Sequence, residues 1–268
     1  MEIKVGCTGW SYEGWIGTFY PKKFSSSKFL KYYSRYFDIT EINSTFYRIP
    51  SKHNARSWNM QTPPDFKFTA KFPQIITHEK KLENCEKEVD EFLESISPLG
   101  TKIISLVIQL PPSLTFDIAK PRLKKLLDGL PQRYLYPIDA RHTSWFSKDA
   151  TTYLENNNIC LVWNDVKGVE NPCPATSNYA YVRLIGDRTI QEKSFGTLQR
   201  DKSSSIKQWV KRLDSFENEL DYAIIMANNH YEGFAPETAN KILATLGLKE
   251  TIWDSKKQQN IAEFTLDH

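Results

Sequence analysis

The chain has 268 residues, 40% of them hydrophobic and 25% charged, with a formal net charge of +3. This is the ordinary balance of a soluble globular protein, and so mild a positive charge does not by itself argue nucleic-acid binding. No apolar stretch approaches the roughly eighteen residues needed to span a bilayer, and Met1-Glu-Ile-Lys-Val lacks the apolar core and cleavage site of a signal peptide. No membrane partner and a cytoplasmic address are therefore expected.

Residues 4–8 form the first predicted strand, an apolar run ending on Thr8. Residues 28–37 follow as an amphipathic helix, with Phe29, Tyr32, Tyr33 and Tyr36 placed to pack on a sheet. The second strand is 39–43; Pro50 stops the chain beyond it and Ser51 caps a shorter helix. The third strand, 67–71, leads to a helix over 80–96 carrying Leu82, Cys85, Val89, Phe92, Leu93 and Ile96 at helical spacing. Strand four (103–109) precedes a helix over 121–130, strand five (136–141) one over 147–156, and strand six is 159–164. Strand seven (179–183) opens into a basic, polar stretch, 186–205, which at that length is either a lid or locally disordered. A helix over 203–219, strand eight (222–228) and a helix over 236–246 complete the pattern, and the polar tail from Lys249 is expected on the outside.

Strands buried on both faces read as near-continuous hydrophobic runs, as parallel strands do. Eight of them alternating with helices predict a single (β/α)8 TIM barrel over residues 1–268, with a long loop after strand seven and a polar C-terminal tail. The length suits one such barrel, and no linker divides the chain. Four cysteines, Cys7, Cys85, Cys160 and Cys173, show no CxxC spacing, so neither structural disulfides nor a thiolate zinc site is expected.

The strings Gly6-Cys-Thr-Gly-Trp-Ser-Tyr12, Gly17-Thr-Phe-Tyr-Pro21, Glu41-Ile-Asn-Ser-Thr-Phe-Tyr47, Ile76-Thr-His78, Gln109-Leu-Pro-Pro112 and Arg141-His-Thr-Ser-Trp145 run in order along the chain, with weaker matches at Val182-Arg-Leu184 and Asn228-Asn229. In these the chain resembles the domain-of-unknown-function 72 family, also called YecE-like. The resemblance implies a TIM barrel and a site at its strand ends. Two positions depart from the family pattern. A glutamate and a phenylalanine usually precede the arginine of strand five, where this chain has Asp139 and Ala140. A histidine commonly precedes the glycine after strand seven, where this chain has Ile185.

Barrels place their chemistry at the C-terminal strand ends, so the polar residues there are the candidate site. Alternation puts Glu41 with Asn43, Thr69 with Lys71 and Asp139 with Arg141 on common faces, though either face could point inward. Lys71, Arg141 and Arg183 are expected to bind an anion, with Glu41 leading in proton transfer and Asp139 orienting Arg141 or sharing that work. Lys71 could alternatively act as a Schiff-base amine. Asn43, Gln109, Asn228 and Asn229 would orient the ligand, and Trp10 and Tyr12, in the aromatic loop after strand one, are the rings nearest it.

His78, His142 and Asp165 are further candidates. With Glu41 and Asp139 they are the residues that could hold a divalent metal, although no HExxH or similar spacing is present and no cofactor is expected. Gln109 and Arg183 end strands four and seven, where many barrel glycosidases keep their two acids, and this weighs against that chemistry. The leading expectation is an enzyme acting on a small anionic, phosphate-bearing or similar, ligand by carboxylate acid/base chemistry, as a hydrolase or lyase. The alternatives are a nucleic-acid-binding or processing protein using the aromatic loop and basic stretch as a track, and a non-catalytic small-molecule-binding barrel.

Overall fold

Apolar runs that bury both faces need helices outside them and one another inside, and a closed barrel meets both demands. The computed structural model describes residues 1–168, 172–254 and Lys256. Strands β1 (Glu2–Thr8), β2 (Ile39–Ile42), β3 (Lys67–Lys71), β4 (Ile103–Gln109), β5 (Ile138–Asp139), β6 (Trp163–Val166), β7 (Tyr179–Gly186) and β8 (Tyr222–Ala227) form one sheet in the order β5-β4-β3-β2-β1-β8-β7-β6. Neighbours pair in parallel throughout. The ring closes between β5 and the lead into β6: Ile138 N–H donates to Cys160 O at 2.8 Å, and Val162 N–H donates to Ile138 O at 2.9 Å. The fold is that of a TIM barrel.

The helices lie outside: α1 (Phe29–Tyr33), α2 (Ser44–Tyr47), α3 (Lys52–Gln61), α4 (Glu86–Ile96), α5 (Phe116–Asp128), α6 (Lys148–Asn156), α7 (Ser203–Asp214), α8 (Asn229–Glu232) and α9 (Ala235–Thr245). Ser51 caps α3 as its sequence predicts, its hydroxyl accepting from Asn54 N–H. Among the described residues no helix is long and apolar enough to cross a membrane.

Local boundaries differ from expectation for identifiable reasons. The helix predicted from residue 80 starts at Glu86, because Lys81, Leu82 and Asn84 take left-handed backbone angles after a single π-type turn over Ile75–Glu79. Helix α5 begins five residues before Pro121, since Phe116 and Ala119 extend its buried face upstream. Strand β5 keeps two residues of the predicted six; Pro137 before it has no N–H to give the ladder. The tail is not wholly external. Trp253 is buried against Phe19 and Phe234, and its indole N–H donates to Thr18 O at 2.8 Å; residues 255 and 257–268 of the expected tail lie outside the described residues.

A small apolar cluster of Ile39, Val107, Cys160, Val162, Tyr179, Tyr181, Ile224 and Met226 fills the barrel interior. It resolves which strand face points inward. Alternation then places Glu41, Gln109, Asn164, Arg183 and Asn228 on the same inner face, each two residues nearer the C-terminal mouth than a member of that cluster. Gly6 of β1 is required there, because any side chain at that position would collide with the carbonyl oxygen of Ile39.

Candidate active site at the C-terminal mouth

Arg183 is the centre of the mouth. Its guanidinium donates through Nη2 to Glu41 Oε1 at 2.8 Å and through Nη1 to Asp139 Oδ2, with a longer bond from Nη1 to Gln109 Oε1 at 3.3 Å. Glu41, Asp139 and Arg183 are all sealed from solvent. Burying ions requires pairing and further hydrogen bonds, and both carboxylates have them. Glu41 Oε2 accepts from the Tyr181 hydroxyl at 2.8 Å, which itself bonds Thr69 at 2.8 Å across the barrel. Asp139 accepts from Arg141 Nη2 at 2.8 Å and from Asn164 Nδ2 at 3.1 Å. Burial alone would raise the Asp139 pKa, but Arg141, Arg183 and Lys71 together outweigh it and hold the carboxyl below its ordinary range.

Two cations stand at the open side of this cluster. The side chains of Lys71 and Arg141 are 11% and 12% exposed. Lys71 Nζ lies 3.8 Å from Glu41 Oε1 and 5.8 Å from the centre of the Phe46 ring. Burial and then Arg183, helped by Arg141, bring its pKa down to about 7 against the opposing pull of Glu41 and Asp139. His78 also belongs to this rim. It sits on the π-type turn after β3, its ring edge-on to Phe46 at 5.0 Å and its Nδ1 2.9 Å from the Thr77 hydroxyl. Burial, Arg141 and Lys71 lower its pKa, against a raising pull from Asp139.

The other expected residues are placed differently. Asn43 follows β2 at the rim, with its Oδ1 buried and without a hydrogen-bond partner. Asn228 is engaged in local structure: its Nδ2 donates to Thr8 Oγ1 at 2.7 Å and its Oδ1 accepts from His230 N–H. Asn229 Oδ1 accepts from Trp15 Nε1 and Ala235 N–H. His142 Nδ1 accepts from Ser144 N–H and caps the short turn Thr143–Phe146. Asp165 lies one residue out of phase with Asn164 and faces outward, its Oδ2 accepting from Ser205, Trp209 and Tyr231. Trp10 packs edge-on against Trp58 and Phe68, and Tyr12 donates to Thr8 O and packs on Trp15 and Phe195. Trp15, Phe19 and Tyr20 of the same loop are fully buried.

The guanidinium of Arg183 occupies the space between Glu41 and Asp139 where metal ligands would have to converge. Among the described residues no group of three or more His, Cys, Asp or Glu side chains is gathered as a metal would require. The stretch after β7 is ordered and tied down: Gly196 N–H donates to Gly233 O and Gln199 N–H to Glu232 O, and Phe195 packs on Tyr12 and His230. Ile185, where the family resemblance would supply an imidazole, is buried and shares the inward parity of Arg183. Tyr181 and Asn164 were not among the expected site residues. Both were within reach of the alternation rule, Tyr181 standing two residues before Arg183 and Asn164 two after Val162.

A closed parallel barrel with a buried ionic cluster at the C-terminal ends of its strands defines the chain as a TIM-barrel protein. It belongs to the family described as "Protein of unknown function DUF72", whose model matches residues 4–262. Among curated relatives, the UPF0759 protein YecE of Escherichia coli K12 is 35% identical over 147 residues, 54% of this chain and 51% of YecE. The match thus spans about half the length of that relative. The UPF0759 protein YunF of Bacillus subtilis is 25% identical over 92% of this chain and 95% of its own. A crystal structure of a DUF72 family protein from Thermotoga maritima superimposes with a TM-score of 0.78 at 28% identity, covering 92% of this chain and all of that one.

Proposed function

We propose that the chain is an enzyme that takes a small anionic substrate into the barrel mouth and works by proton transfer at Lys71. One observation carries this reading: Arg183 and Arg141 balance Glu41 and Asp139, and Lys71 adds one further positive charge at the solvent side of the cluster. With Lys71 protonated, an anion arriving there meets a cluster of net positive charge in a largely desolvated setting, where electrostatic attraction is strong. Arg183 is spent on the two carboxylates, so Arg141 and Lys71 are the groups that meet the ligand. Both oxygens of Glu41 are engaged, which makes it the holder of Arg183 and Lys71 rather than the first proton carrier. Gln109, bonded to Arg183, and Asn43, whose buried Oδ1 has no partner among the described residues, would orient the ligand.

The anion reading gains over the nucleic-acid alternative from the aromatic loop, three of whose rings, Trp15, Phe19 and Tyr20, are sunk into the packing and offer no stacking face, while Trp10 and Tyr12 are half-buried. The test is turnover. A small-molecule extract incubated with the wild-type chain and followed by mass spectrometry is expected to lose one anionic species, and Lys71→Met is expected to abolish the loss. Equal turnover by the two proteins removes Lys71 from the chemistry. Binding without turnover in either would make the chain a binding barrel.

A further inference from the structure

We propose that Lys71 forms a Schiff base with a small carbonyl compound bearing one carboxylate, a 2-oxo acid, whose carboxylate is received by Arg141. This rests on the reading of the mouth as an anion-binding active site. The position of the amine is the first support. Among the described residues Lys71 Nζ makes no hydrogen bond, and its nearest anionic atom, Glu41 Oε1 at 3.8 Å, is already bonded to Arg183. A lysine retained only as a charge partner would be drawn into hydrogen-bond contact with its carboxylate. Here the amine is held beside the acid and against the Phe46 face, shielded yet still reachable from the mouth.

Charge arithmetic is the second support. With Lys71 neutral, two arginines and two carboxylates leave the cluster uncharged. An iminium at Lys71 makes it singly positive, the complement of one substrate carboxylate and not of a phosphate dianion. Arg141 supplies the receiver: it uses Nη2 on Asp139, and its other N–H groups have no partner among the described residues. A guanidinium presents such donors in the planar fork that carboxylates accept. Burial and Arg183 hold the Lys71 pKa near 7, so a large share of the amine is neutral and nucleophilic at neutral pH.

The step balances simply. The neutral amine adds to the carbonyl carbon and a C–N bond forms. The former carbonyl oxygen takes one proton from that nitrogen and one from solvent, the C–O bond breaks, and water leaves. The product is an iminium that keeps one N–H and withdraws electrons from the adjacent carbon.

The experiment treats the full chain with glyoxylate or pyruvate at pH 7, reduces with cyanoborohydride and maps the adduct by peptide mass spectrometry. Lys71 is expected to carry the adduct, labelled about a hundredfold faster than the exposed Lys87, because a neutral amine outcompetes a protonated one. Lys71→Arg should abolish the adduct while keeping the charge. Arg141→Gln should slow labelling by the 2-oxo acids about tenfold more than labelling by acetaldehyde, because only the acids lose a charge-assisted carboxylate contact while the lost pull on the Lys71 pKa slows both alike. The deciding map is read on the wild type, so a variant that fails to fold does not blunt the test. An unlabelled Lys71, or labelling spread evenly over the surface lysines, overturns the Schiff base. If glyoxylate still binds in calorimetry and Arg141→Gln loses that binding, the anion reading survives the overturn. If glyoxylate, pyruvate and inorganic phosphate all fail to bind, both fall.

Discussion

Lys71 and Lys102 are both largely withdrawn from solvent, and the surrounding structure treats them in opposite ways. Lys102, 8% exposed just before β4, donates to the carbonyl oxygens of Asn59 at 2.6 Å and Thr62 at 2.8 Å and to the Thr62 hydroxyl at 3.1 Å. Its three protons are used, and they close the otherwise open C-terminal end of α3. Lys71 has no such bonds. The same contrast separates two buried carboxylate networks. Glu232, on the outer flank, accepts from Lys202 N–H, the Thr238 hydroxyl and the Lys241 amine. At the mouth, by contrast, Asn43 Oδ1, Asn164 Oδ1 and Arg183 Nε are buried without partners. Buried polar groups are ordinarily satisfied, so a cluster of unsatisfied ones needs a reason, and a ligand site is a physical one.

The largest effect should come from removing the hub of the mouth. Arg183→Met leaves Glu41 and Asp139 buried without their shared cation, and breaking such a network by one partner costs about 3–5 kcal/mol. Guanidinium denaturation at pH 7 measures it. A cost below about 1 kcal/mol would show that the carboxylates are not held as charges. Next is Lys102→Met, which strands the Asn59 and Thr62 acceptors and should cost about 2 kcal/mol. The same substitution at Lys71 should do the reverse. Lys71→Met removes a buried amine with no hydrogen bonds and leaves two arginines against two carboxylates, so it should be neutral or stabilising by about 1 kcal/mol. Equal losses at Lys71 and Lys102 would erase the distinction between them.

The barrel was legible because parallel strands, buried on both faces, announce themselves as continuous apolar runs. That same burial hides which face is inside. Glu41 and Asn43 share a side with Ile39, yet only the interior cluster containing Ile39, Val107 and Tyr181 shows that this side lines the lumen. Asp165 illustrates the sensitivity to phase: a shift of one residue from Asn164 turns its carboxylate from the mouth to Ser205, Trp209 and Tyr231 outside. Tyr181 escaped notice because a tyrosine inside an apolar strand reads as core, although its hydroxyl is a partner of Glu41. The capping roles of His142 and Asn228 depend on local backbone geometry that composition does not encode. Trp253 was hidden by the polar residues around it.

The smallest effect concerns pH: burial lowers the pKa of both lysines, Lys102 with help from Lys67, and that of Lys71 comes down to about 7. Lys71 faces Glu41, Asp139, Arg183 and Arg141, with His78 and Tyr181 close by, and its folded pKa is about 7 against an ordinary value of 10.5. Between those two values the unfolded chain holds a proton on Lys71 that the folded chain releases. Unfolding therefore takes up a proton from this group, and stability rises with pH across that window. The cost of keeping the amine buried is greatest below about pH 7 and has vanished above about pH 10.5. The slope contributed by one such group approaches about 1.4 kcal/mol per pH unit at most. Denaturation of wild type and Lys71→Met from pH 7 to pH 9 isolates it, because titrations elsewhere are common to both. The stability of Lys71→Met relative to wild type should fall steadily as the pH rises, turning from neutral or slightly favourable at pH 7 to unfavourable by pH 9. A constant difference across that range would mean that the amine stays protonated in the fold, and a lysine that stays protonated is an anchor for an anion, not a nucleophile.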